Sequence, residues 1–74
     1  MSVMTAQEAK RLQIYMQKKF ENQKLTIRAR ERANDSVEVL LDGEFLGVIY
    51  KDEDEGEISY DLNMAILEID LPRL

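Results

Sequence analysis

The chain has 74 residues, 45% of them hydrophobic and 34% charged, with a net charge of −5. That size and composition describe one small globular domain over residues 1–74, with a thin core. With neither Cys nor His, the chain has no disulfide, no thiol nucleophile and no imidazole base or metal ligand. No apolar run approaches a membrane span or a signal-peptide core, so the expectation is a cytoplasmic protein with no membrane partner. The charge is divided: residues 1–34 carry eight Lys/Arg and three Glu, whereas residues 35–74 carry two Lys/Arg and twelve Asp/Glu.

Thr5-Ala6-Gln7-Glu8 reads as a capping box, in which the Thr5 hydroxyl and the Glu8 carboxylate each accept from the other's backbone N–H. A helical pattern follows at once. At 100° per residue Ala9, Leu12, Met16 and Phe20 share a stripe, with Lys10, Arg11, Gln17 and Lys18 opposite. The spacing predicts a helix from Ala6 to Glu21, stopped by Asn22.

The remainder alternates with period two. Leu25, Ile27 and Ala29 oppose Thr26, Arg28 and Arg30 in a first strand, and Val37, Val39 and Leu41 oppose Ser36, Glu38 and Asp42 in a second. An odd loop such as Ala33-Asn34-Asp35 keeps both apolar sets on one face and brings Arg30 or Arg32 opposite Glu38. Asp42-Gly43 is a two-residue hairpin signal, because both central residues of that turn need φ > 0. A regular ladder from this turn pairs Val39 with Leu46, Val37 with Val48 and Leu40 with Phe45. The helix is then expected over Val37, Val39, Leu41, Leu46, Val48 and Tyr50. The third strand, Glu44 to Tyr50, is followed by an acidic turn from Lys51 to Gly56. A fourth strand follows, with Ile58, Tyr60, Leu62, Met64 and Ile66 on one face. At Ile66-Leu67 the parity flips, and Leu67, Ile69 and Leu71 alternate up to Pro72. Residues Met64 to Leu71 are open to a second reading as helix.

Several groups bear on function. Asp52-Glu53-Asp54-Glu55-Gly56-Glu57-Ile58 has an outline of a calcium loop, but Lys51 and Leu62 occupy the first and the bidentate ligand positions, so the stretch reads as a solvated hairpin tip. Lys24, Arg28, Arg30 and Arg32 form a basic stripe, a candidate nucleic-acid contact that lacks stacking aromatics and sits in an acidic chain. Ile14 lies off the helix's apolar stripe, and Leu40, Phe45 and Ile49 are expected on the sheet face away from the helix. One helix cannot cover both faces of a sheet, so either the C-terminal segment folds over that second face or these four residues form a protein interface. The hydroxyl inventory, Ser2, Ser36, Ser59, Tyr15, Tyr50 and Tyr60, comes with no base in a recognisable pattern. The residues give no enzyme, no cofactor and no metal site.

The succession Asp35-Ser36-Val37-Glu38-Val39, Gly43-Glu44-Phe45-Leu46-Gly47-Val48, the acidic turn, Glu57-Ile58-Ser59-Tyr60 and Asn63-Met64-Ala65-Ile66-Leu67-Glu68-Ile69-Asp70-Leu71 resembles an uncharacterised family of short bacterial proteins, the domain-of-unknown-function family 3126. The likeness spans Asp35 to Leu71 closely and the rest loosely. It implies a stand-alone cytoplasmic bacterial protein and carries no activity and no site residues. Taken with the residues, the expected fold is α+β: an N-terminal amphipathic helix packed on a four-stranded antiparallel sheet in the order α-β-β-β-β. The expected role is a non-enzymatic protein-interaction module, with itself as a homodimer or another cytoplasmic protein as partner, and weak nucleic-acid binding as the alternative.

Overall fold

The structure is a computed structural model and describes residues 3–74. Helix α1 spans Ala6–Lys19, strands β1 to β4 span Leu25–Ala29, Ser36–Leu41, Glu44–Asp54 and Glu57–Asn63, and a single 3-10 turn covers Glu68–Asp70. The four strands form one antiparallel sheet in the order β1-β2-β3-β4, the α-β-β-β-β meander expected.

Both ends of the helix are closed by local chemistry. The Thr5 Oγ1 accepts from Glu8 N–H at 3.0 Å and Glu8 Oε1 accepts from Thr5 N–H at 2.9 Å, completing the capping box. At the other end Glu21 turns left-handed (φ 49°), two residues earlier than a helix running to Glu21 requires. There Asn22 N–H donates to Gln17 O and Glu21 N–H to Lys18 O, the paired bonds of a Schellman ending. Phe20 consequently lies past the last helical residue and is exposed rather than in the core.

The core is Met16, Leu25, Val37, Val39 and Ile49, with Met4, Ala9, Leu12, Ile27, Leu41, Leu46 and Tyr60 packed around it. The first hairpin has the expected face, with Ile27 opposite Val39 and Ala29 opposite Val37, but its loop is longer and Arg28 is the residue opposite Glu38. The second hairpin corrects the expected register. Leu40 does pair with Phe45, but Val39 pairs with Gly47 and Val37 with Ile49. A β-bulge at Leu46 separates the two halves, so Ile49 enters the core while Val48 and Tyr50 face away from the helix.

The bulge has an arithmetical cause. The Asp42-Gly43 turn (φ 52° and 84°) places Leu46 on the helix side with Val39. The acidic segment is also a two-residue turn, Glu55-Gly56 (φ 51° and 82°), rather than the long turn from Lys51 to Gly56. It pairs Asp54 with Glu57, Lys51 with Tyr60 and Ile49 with Leu62. Leu46 and Ile49 must therefore face the same way, yet they are three apart, and alternation allows only even separations. One extra residue resolves the conflict.

β3 outruns β2, so Asp52–Asp54 and Glu57–Ser59 pair only with each other and project as a two-stranded arm; the molecule measures 46 × 24 × 24 Å. β4 ends at Asn63, so residues 64–71 are neither a continued strand nor an α-helix. The strand stops where its next partner would be Gly47, beside the bulge: a Cβ on that glycine would stand 2.5 Å from Asn63 O. The segment beyond is exposed throughout, including Ile66, Leu67, Ile69 and Leu71.

Candidate functional site

The helix lies over β1 and is fastened to it by two glutamines. Gln13 Oε1 accepts from Ile27 N–H at 2.8 Å, and Gln17 Nε2 donates to Leu25 O at 2.9 Å and to Gln23 O at 3.3 Å. This placement leaves the β4 side of the same sheet face uncovered. Between helix and β4 lies a cleft of about 350 Å³ lined by Leu12, Tyr15, Met16, Ile49, Tyr60 and Leu62, with Glu8 and Arg11 at its rim. Tyr15 is 58% exposed and Leu62 41%. The cleft is mainly apolar and open to solvent, as a recognition surface is.

One end of the cleft is a polar tie between the helix start and the second hairpin. Lys51 Nζ lies 2.8 Å from Glu8 Oε2 and 3.0 Å from its Oε1, and donates to Val3 O at 3.0 Å. Tyr60 donates its hydroxyl to Glu8 Oε2. The carboxylate thus accepts from Lys51, Tyr60 and the Thr5 backbone, and these bonds, Lys51 first, lower its pKa from 4.5 to about 2. The same contacts, led by Glu8, raise the pKa values of Lys51 and Tyr60. Each group is held in the protonation state it has at neutral pH, so the cluster acts as a fastening.

The basic stripe is largely spoken for. Arg28 donates to Glu38 Oε1 through Nε at 2.9 Å and through its terminal nitrogen at 2.6 Å. Arg30 donates to Ser36 Oγ at 2.7 Å and stacks 5.9 Å above the Tyr50 ring centroid. Ser36, 2% exposed, is held by that arginine. Lys24 precedes β1, and Arg32 sits in the β1–β2 loop, where it shares a hollow with Arg28, Arg30, Glu31 and Glu38, so acidic side chains are interleaved with the cations. The arm's carboxylates alternate between the sheet's two faces, and no group of three or more metal-binding side chains occurs among the described residues. Ser2 lies outside the described residues.

Of the four residues expected at an interface, Ile14 (56% exposed) and Phe45 (59%) are on the surface. Leu40 and Ile49 are not: Leu40 is 6% exposed on the outer face, and Ile49, brought inward by the bulge, is 2% exposed in the core. Tyr15 and Leu62 take their place as exposed apolar residues of the cleft, and Ile58 is exposed farther along β4 in the arm. The signal for Leu62 and Ile58 is in their alternation with Tyr60, once Glu55-Gly56 is read as a tight turn. Nothing local signals the tie between Glu8 and Lys51, which are 43 residues apart.

A family model described as "Protein of unknown function (DUF3126)" matches residues 8–70. The chain belongs to this family. The DUF3126 match begins at Glu8 in the helix and ends in the 3-10 turn, so it takes in the cleft, both tight turns, the bulge and the arm. No curated protein and no solved structure matches the chain. No helix of this DUF3126 member is long and apolar enough to cross a membrane among the described residues.

Proposed function

We propose that this chain is a non-enzymatic protein-interaction module of the bacterial cytoplasm, and that the cleft between α1 and β4 is its recognition surface. The observation that carries the reading is the off-centre helix, which leaves Tyr15 and Leu62 exposed in an apolar cleft on a folded domain. A small domain gains stability by covering such surface, and leaving it bare fits a surface completed by a partner. The tie at Glu8 supports a binding role over a catalytic one, since Glu8 and Lys51 are each committed to several partners within the protein. Nucleic acid is the weaker alternative, because Arg28 and Arg30 already have protein partners.

The test is size-exclusion of native extract, with the chain detected at its natural abundance. The expected result is elution ahead of an 8.6 kDa species, moved back toward that mass by the surface variant Tyr15→Ser. Elution as a free monomer overturns the reading. Loss of the larger species on nuclease treatment instead transfers it to the nucleic-acid alternative.

A further inference from the structure

The sheet's two edges are finished differently. On β1, the outward backbone groups of Ile27 and Leu25 are taken up by Gln13 and Gln17 of the helix. No hydrogen bond from the helix to the β4 backbone matches these among the described residues. The Glu55-Gly56 turn makes Asp54 and Glu57 a hydrogen-bonded pair. Alternation then turns the N–H and C=O of Ser59, Asp61 and Asn63 toward β3, and those of Ile58, Tyr60 and Leu62 outward. β4 is seven residues long and contains no proline, lysine or bulge; its edge charges are Glu57 and Asp61. Its outward-bonding residues also carry the apolar side chains: Ile58 is 51% exposed and Leu62 41%. Just past the strand, Met64 and Ala65 lie beside Phe45 and Gly47 of β3.

We propose that β4 pairs with β4 of a second copy of this chain, antiparallel about a two-fold axis at Tyr60, joining two sheets into one of eight strands. This rests on the interaction-module reading and names its partner. The register follows from charge. Centred on Tyr60, all seven residues pair: Ile58 faces Leu62 of the second copy, Ser59 faces Asp61, and Glu57 faces Asn63. Sliding by one step in one direction sets Glu57 against Asp61; sliding the other way sets Asp61 against itself. Both place carboxylates directly opposite each other, which is unfavourable. The symmetric register alone uses the whole strand and opposes no like charges. It also brings both helices to the same face, so the two clefts and their Ile58, Leu62 and Tyr15 side chains form one apolar surface.

The experiment uses the purified full chain. Light scattering across a concentration series is expected to show the 8.6 kDa mass doubling. Ile58→Lys, which places a charge on the joined edge opposite Leu62 of the second copy, is expected to keep the chain at monomer mass with unchanged circular dichroism. Phe45→Ser, on the other face, is expected to leave the dimer intact. The native chain has no Cys, so register can be read by disulfide trapping. An equimolar mixture of Ser59→Cys and Asp61→Cys chains is expected to cross-link as the mixed pair, and neither variant alone. A dimer abolished by Phe45→Ser but not by Ile58→Lys, or cross-linking of Ser59→Cys with itself, overturns the proposal. A monomer at all concentrations also overturns it; if native extract still holds the chain in a larger species, the interaction-module reading survives with a different partner.

Discussion

Acid should loosen the tie between the helix and the second hairpin, and the effect can be isolated. The Glu8 pKa is lowered from 4.5 to about 2, first by Lys51 and then by Tyr60 and the Thr5 backbone. A carboxyl with a depressed folded-state pKa binds its proton more readily in the unfolded chain. Its contribution is therefore complete above 4.5 and disappears as pH falls from there toward 2. At about 1.36 kcal/mol per unit the shift sets an upper bound of about 3 kcal/mol. The carboxylate still has 13% of its side chain in water, and screening reduces the expected contribution to about 1–2 kcal/mol. That is a substantial part of the roughly 5 kcal/mol total of a small domain. Other carboxylates titrate in the same range, so the measurement is a difference. Urea melts of the native chain and Glu8→Gln are compared at about pH 6 and about pH 2.5. The native chain should be the more stable by about 1–2 kcal/mol at the higher pH, with the gap mostly closed at the lower. A gap that stays constant with pH refutes the reasoning, because the tie would then owe its strength to shape rather than charge.

Three further outcomes can be checked by denaturant melts. Gly47→Ala puts a Cβ 2.5 Å from the Asn63 carbonyl oxygen, a backbone atom with no freedom to swing away; it should cost about 2–3 kcal/mol and open the start of the β3–β4 pairing. Gly43→Ala meets nothing within 4 Å and should cost about 1–2 kcal/mol from left-handed strain, while Gly56→Ala, with the same φ but at the tip of the projecting arm, should cost less because the tip can fray without disturbing the core. Glu21→Gly should stabilise by about 0.5–1 kcal/mol, since glycine takes the left-handed helix ending without strain and removes a negative charge from the helix C-terminus; a destabilised variant would contradict that ending.

The sequence made the order of elements, the antiparallel meander, the capping box and the Asp42-Gly43 turn legible, because each depends on residues close together in the chain. The first hairpin's face was legible for the same reason. What escaped depended on two distant constraints at once. Treating Lys51 to Gly56 as one long turn removed the second fixed point on β3, so a regular ladder from Asp42-Gly43 ran on unopposed and placed Val48 and Tyr50 inside. With Glu55-Gly56 recognised as a tight turn, the parity conflict at Leu46 becomes visible in the sequence, and Ile49 moves to the core. Of the surface residues, Ile14 and Phe45 were found from their position on a helix or strand alone. Leu40 failed because alternation gives a face and not its coverage, and Ile49 because the bulge turns it to the other face. The lateral placement of the helix, which decides that Tyr15 and Leu62 stay exposed, rests on Gln13 and Gln17, polar residues that a hydrophobic pattern leaves out.

The bulge at Leu46 also bears on how chains of different length in this family should be aligned. Between the two tight turns, deleting a residue from the regular part of β3 exchanges the faces of everything on one side of the deletion. Leu46 is the exception. Without it Phe45 still meets Leu40, Gly47 still meets Val39 and Ile49 still meets Val37, so the ladder becomes regular and every later pairing stands. A relative one residue shorter in this strand therefore takes its gap at Leu46, inside a strand, rather than in either turn where gaps are customarily placed.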